Sequence, residues 1–144
     1  MTSQRREDEM RLQNSEHQEL RRLYESYLDA CNAHDFDRMA SFYTPQIRVN
    51  DVAMDPSTVA AQFEPIVSAF PDWHWDVRNI AIDRDLISLH FTVTGTHKGT
   101  FEGIAPTGRR VSITEFTLYR VEDGKFAYVW DLADMAAIRQ QIEI

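Results

Sequence analysis

From Leu20 onward the apolar positions recur with helical spacing. Leu20, Leu23, Tyr24, Tyr27, Leu28 and Cys31 stand at i, i+3, i+4, i+7, i+8 and i+11, which predicts an amphipathic helix with one buried face. Residues 1–19 are almost wholly polar, with Arg5, Arg6, Glu7, Asp8 and Glu9 in one run. They predict a flexible polar tail or a solvated helical extension. Asn32 to Asp35 interrupts the helix. Phe36 to Tyr43 reads as a short second helix turning Met39, Phe42 and Tyr43 inward, and Ile47 to Val52 as a short strand. Asp55, Pro56 and Ser57 make a helix start, because Asp caps free amides and Pro is tolerated in the first turn. Val59, Phe63, Ile66, Val67 and Phe70 mark that third helix, with a kink or break expected at Pro65.

After Pro71 the period changes to two and holds until about Asp131. Trp73 to Ile82, Leu86 to Thr96, Arg109 to Val121 and Lys125 to Asp131 are read as strands, joined at Asp83 to Asp85, Ala105-Pro106-Thr107-Gly108 and Asp123-Gly124. Hairpin joins make the sheet antiparallel, and Met135 to Gln141 closes the chain as a helix. Helices first and a meander afterwards is the segregated order of an α+β fold.

The chain has 144 residues, room for one domain, which we place at residues 20–144. Fifteen Lys and Arg against 23 Asp and Glu give a net charge of −8, which argues against nucleic acid and anionic membrane as partners. The lone Cys31 excludes a disulfide framework and a cysteine-rich zinc module. With neither an apolar run long enough to span a bilayer nor the apolar core of a signal peptide, the expected location is cytoplasmic.

Familiar catalytic signatures are absent: no Gly-rich phosphate loop, no GxSxG elbow, no HExxH helix, and no metal-ligand spacing among the His residues. Carboxylates remain. Along Val111 to Val121 one face carries Val111, Ile113, Glu115, Thr117, Tyr119 and Val121; on the next strand Ala127, Val129 and Asp131 share a face. A carboxylate on an apolar face is costly when charged, and that cost raises its pKa toward a useful range. Glu115 and Asp131 are therefore the candidate catalytic residues, with a solvated face or an Arg109 or Arg110 partner as the plainer alternative. Asp134 reads as the N-cap of the last helix. His90 shares a strand face with Ser88, Thr92 and Thr94, and the three Trp residues suit either core or a pocket for a flat ligand.

Phe70-Pro71-Asp72, Gly95-Thr96-His97-Lys98-Gly99, Gly103 to Arg109, Tyr119-Arg120 with Asp123-Gly124-Lys125, then Trp130-Asp131, Asp134 and Gln140 follow the order and spacing of another group of proteins. Over Leu20 to Gln140 the chain resembles the SnoaL-like polyketide cyclases. The resemblance implies the nuclear transport factor 2-like cone, N-terminal helices packed in a curved antiparallel sheet around a deep apolar pocket. It also implies a cyclase of polyketide antibiotic biosynthesis that needs no metal or organic cofactor, takes a small hydrophobic polyketide-like substrate, and uses an acid/base Asp at the position of Asp131. A homodimer is expected from the family's usual assembly and from the aromatic and β-branched supply of the sheet. The expected pocket residues are Thr117, His90, Trp75, Tyr24 and Asn50. Thr117 stands where anthracycline cyclases carry a pocket His, Glu115 where a neutral amide is expected, Ala105 replaces a common Pro, and no Leu-Gly ending is present. These departures suggest a related reaction on a different substrate. A hydroxylase or isomerase on the same fold, and a non-catalytic ligand-binding domain, are the alternatives; the last is favoured by an exposed or salt-bridged Asp131 with a shallow pocket.

Overall fold

A computed structural model describes residues 2–143. The first helix, α1 (Thr2–Asn32), runs through the polar segment as well as the apolar stripe, so that segment takes the helical form of the two open to it. Residues 2–16 lie exposed, and burial begins with the stripe, where Tyr24, Tyr27, Ala30 and Cys31 enter the core. His34, at φ 54, turns the chain into α2 (Phe36–Ala40), whose Arg38 N–H donates to the Asp35 carboxylate. Strand β1 (Tyr43–Val49) then forms a hairpin with β2 (Val52–Ala53). Asp55 caps α3 (Pro56–Ala61) by accepting from Thr58 N. The break expected at Pro65 falls at Gln62 and Phe63, and α4 (Glu64–Ala69) starts anew with Pro in its first turn.

Strands β3 (His74–Asp83), β4 (Leu86–Thr96), β5 (Arg110–Glu122) and β6 (Lys125–Ala133) follow, and α5 (Met135–Ile142) ends the described chain. The β5–β6 turn places Asp123 and Gly124 at φ 50 and 75, the pair of left-handed residues a two-residue hairpin requires. Asp134 caps α5 by accepting from Ala137 N.

The six strands are ordered β2-β1-β6-β5-β4-β3 in one curved, unclosed sheet. β3 to β6 pair antiparallel, but β1 joins β6 in parallel, so the wholly antiparallel expectation is corrected at that join. Strand β1 enters from the helical segment rather than from a hairpin, and nothing forces it to reverse. It also begins at Tyr43, earlier than its apolar alternation suggests. Between Tyr43, opposite Phe126, and Arg48, opposite Tyr128, the ladder skips. Pro45, which has no N–H to give, lies in that stretch.

The inner face of the sheet receives α1. Tyr24 and Tyr27 pack on Tyr119 with ring centroids 5.7 and 5.9 Å away, and on Phe126 at 6.4 and 4.9 Å. The segment most specific to the resemblance, Gly95 to Arg109, serves structure. His97 is fully buried, stacks on Phe70, and its Nδ1 accepts from the Thr107 N–H at 3.2 Å. At Gly99 a side chain would meet the Ser68 carbonyl oxygen at 2.5 Å, so only glycine fits beside α4. No described helix is long and apolar enough to cross a membrane.

Candidate active site

The alternation of β5 sends Ile113, Glu115, Thr117 and Tyr119 to the inner face. Phe91 on β4 stands opposite Glu115, and Asp131 on β6 stands opposite Thr117. α1 covers this patch with Tyr24, Tyr27, Leu28 and Cys31, and the α3–α4 break adds Gln62 and Phe63 at the side. A cavity of about 50 Å³ remains between them, walled mainly by aromatic and aliphatic groups. Pockets that enclose whole organic ligands are roughly 300–1,000 Å³. The enclosed space therefore takes only the compact end of such a molecule, and the remainder has to lie toward the mouth.

Glu115 is the half-buried carboxyl in this wall. Burial pushes its pKa up from 4.5 to about 7, and the negative charge of Asp131 adds to that rise. Thr117, 4% exposed, donates to Glu115 Oε2 at 3.0 Å; this bond, with the nearby Trp75 side chain acting in the same direction, favours the ionised form and holds the rise in check. Near neutral pH this group is a mixture of acid and conjugate base. Burial likewise drives the Cys31 thiol up to about 12, so it supplies no thiolate nucleophile.

Asp131 differs from the expectation of an apolar setting. Asp131 lines the cavity, but the residue is exposed. Asn50, at φ 47 in the β1–β2 turn, clamps it with a 2.7 Å bond to Oδ1. Asp51 next to it accepts from the Trp130 indole at 3.0 Å, which pins the turn to the outer side of β6.

Of the expected pocket residues, Tyr24, Trp75 and Thr117 line the cavity, as do both candidate carboxylates. Asn50 does not line it and reaches it only through Asp131. His90 is a correction. It belongs to the outer face, where it stacks on Phe116 at 4.7 Å and bonds Asn79, because the pleat that turns Leu89 and Phe91 inward turns position 90 outward. The sequence reading overlooked the phenols of Tyr27, Tyr43 and Tyr119. Tyr119 was recoverable, since it shares the Glu115 and Thr117 face; Tyr43 was hidden by its assignment to a helix. Among the described residues no group of three or more His, Cys, Asp or Glu is arranged to hold a metal ion.

Residues 21–142 match the family model described as SnoaL-like polyketide cyclase, and the chain belongs to that family. Among solved structures it is similar to AclR of Streptomyces galilaeus, provisionally assigned as a hydroxylase, with 30% identity and a TM-score of 0.77 over 85% of this chain and 80% of that one. A SnoaL-like polyketide cyclase of Agrobacterium tumefaciens gives 25% identity and a TM-score of 0.71 over 83% and 94% of the two chains. IdmH of Streptomyces antibioticus, provisionally a polyketide cyclase, gives 22% identity and 0.77 over 85% and 96%, a likeness of fold. No curated protein matches the chain.

Proposed function

We propose that this protein closes a ring in a small hydrophobic, polyketide-like substrate of antibiotic biosynthesis, using acid/base catalysis without a metal or organic cofactor. The observation that carries this reading is the pair of carboxyls lining the cavity, unequal in setting. Asp131 is solvated and held by Asn50, and Glu115 is half-buried with its pKa near neutrality. They are diagonal neighbours on adjacent strands, since Glu115 lies opposite Ala133 and Thr117 opposite Asp131. That register separates their β-carbons by roughly 7 Å, enough for a substrate carbon and oxygen to sit between them.

In the aldol form, Asp131 takes the proton from a carbon flanked by two carbonyls. The enolate carbon so formed attacks a second carbonyl of the same chain, and protonated Glu115 delivers its proton to the oxygen that becomes negative. One C–H and one C=O are exchanged for a C–C bond and an O–H, and proton transfer from Asp131 to Glu115 through solvent resets the pair. The cavity adds the entropic advantage of holding the reacting carbons in contact.

The exposure of Asp131 is the feature expected of a mere binding domain. A raised carboxyl beside it is what such a domain has no use for, and it tips the reading to an enzyme. The similarity to AclR keeps a hydroxylase as the second reading. The test is incubation with a linear tetraketide thioester in deuterated water, with α-proton exchange and ring formation followed by NMR. Wild type should accelerate both, and Asp131→Asn should lose roughly 100-fold to 10,000-fold. Equal rates with wild type, with Asp131→Asn and without protein would sink the proposal.

A further inference from the structure

We propose that the phenol hydroxyls of Tyr24 and Tyr119 are the hydrogen-bond donors that receive the substrate's carbonyl, so that the group admitted to the inner cavity is a compact neutral ketone or β-dicarbonyl. The proposal rests on the reading of the cavity as the reaction site, and it assigns the recognition that the two carboxyls do not supply.

Four tyrosines line the cavity. Buried phenols ordinarily find a partner, and Tyr27 and Tyr43 find one in each other. Tyr24 and Tyr119, 3% and 7% exposed, make no hydrogen bond with any described residue. Their rings are nevertheless fixed, 5.7 Å apart at 49° and both against Phe126. The hydroxyls are not sealed in protein either. Among the described residues the buried polar side-chain atoms without a partner are His17 Nε2, His97 Nε2 and Arg120 Nε, and neither phenol oxygen is one of them. Both residues line the cavity.

The rest of the wall defines what the donors are for. Among the described residues no Lys, Arg or His lines the cavity, so an anionic ligand finds no counter-charge there. Glu115 Oε2 is already engaged by Thr117. Two unspent O–H donors in a largely aromatic and aliphatic wall that carries no positive charge suit an acceptor oxygen on a small apolar frame. Both phenols also stay protonated. Burial lifts them well above their ordinary range, with Cys31 and then Glu115 adding for Tyr24, and Tyr24 and then Cys31 adding for Tyr119. A donor of this kind strengthens as its carbonyl gains negative charge, which is the direction of charge in enolisation and in aldol addition.

The test uses cyclopentanone carrying a 13C carbonyl, with methylenecyclopentane as the equal-shaped molecule that lacks the oxygen. In wild type the bound carbonyl stretch should lie below its value in water. Tyr24→Phe and Tyr119→Phe keep the rings and should each move the stretch upward and weaken ketone binding by about two- to tenfold, leaving methylenecyclopentane affinity unchanged. The two substitutions are read independently, each after a melting curve, so failure of one to fold leaves the other to decide. A stretch and affinity identical in wild type and the folded variants overturn the proposal, as does a wild type that takes up no ketone saturably. Asp131→Asn separates the two readings. It should leave the stretch in place while turnover falls, so a normal turnover there defeats the acid/base mechanism without touching the donors.

Discussion

Asn50 and Asp131, 81 positions apart in the chain, are joined twice: Asn50 Nδ2 donates to Asp131 Oδ1 at 2.7 Å, and the Asp131 backbone N–H donates to Asn50 Oδ1 at 3.0 Å. Both ends of one amide are used, so its orientation is determined by its partners. Asn also tolerates the left-handed backbone at this turn better than most residues. Asn50 thus acts through Asp131, as a positioning residue.

Replacing it separates position from binding. Asn50→Asp keeps the turn but sets a carboxylate against a carboxylate. We expect kcat to fall by tenfold or more, since a hydrogen bond to a charged group is worth about 1.5–3 kcal/mol, while KM changes little. Steady-state kinetics on the tetraketide thioester, with a melting curve as control, reads this directly. A fall in KM-dependent binding alone would assign Asn50 to the substrate instead.

Asp131 and Asp134, three residues apart, should give opposite signatures. Asp131→Asn removes an exposed charge, so its melting temperature should stay close to wild type while turnover collapses. Asp134→Ala loses the bond to Ala137 N at 3.2 Å. It should cost about 1 kcal/mol and leave the chemical step intact. Thermal melting and single-turnover rates on both variants check the pair.

Glu115 makes stability depend on pH in a definite direction. Its carboxyl titrates at about 7 in the folded protein against 4.5 for the ordinary group. Between those values the folded state holds a proton that the unfolded chain has released, so this contribution favours folding at low pH and is lost as pH rises through the window. The full difference is about 3 kcal/mol. Glu115→Gln should flatten the window and exceed wild type in stability above it. Urea unfolding across a pH series measures both.

Two neighbours of Glu115 should move that titration oppositely. Thr117→Val removes a donor that favours the ionised form, and the carboxyl should titrate higher. Asp131→Asn removes a negative charge, and it should titrate lower. Carbon NMR of labelled glutamate reports each midpoint. Shifts of the same sign in both variants contradict this account of the site.

The outer face of the sheet suggests an assembly test. Phe116 and Leu132 stand 55% and 77% exposed there, beside the stacked pair Tyr128 and Trp130. We expect a homodimer in light scattering at micromolar concentration, and Leu132→Glu to shift it toward monomer, since a charge facing a buried apolar partner is costly.

The strands and the hairpin turns were legible because period two and turn chemistry are local properties. Leu86–Thr96 agrees with β4 end for end, and the Asp55 and Asp134 caps are where the sequence puts them. The parallel partner of β1 was not legible, because pairing across 80 residues leaves no local trace. For the same reason Asp131 was misjudged as sitting in an apolar setting. Its face follows from alternation, but its exposure depends on tertiary packing that alternation does not encode. Glu115 was the safer inference, flanked on its face by Ile113 and Thr117 in mid-strand. His90 was admitted to the pocket although its own alternation, opposite to Leu89 and Phe91, sends it outward.

The parallel join of β1 to β6 sets the timetable of assembly. During synthesis the chain emits β1 early, and its ladder partner is among the last strands to leave the ribosome, after the β3–β4–β5 meander has had the chance to form. Until then one margin of the sheet is open, so a nascent or truncated chain that ends before Lys125 carries the clamp, Asn50, but lacks Asp131, which it holds, and Val129 of the cavity wall. The cavity wall is therefore completed late, when β6 docks between β1, made long before it, and β5, made just before it.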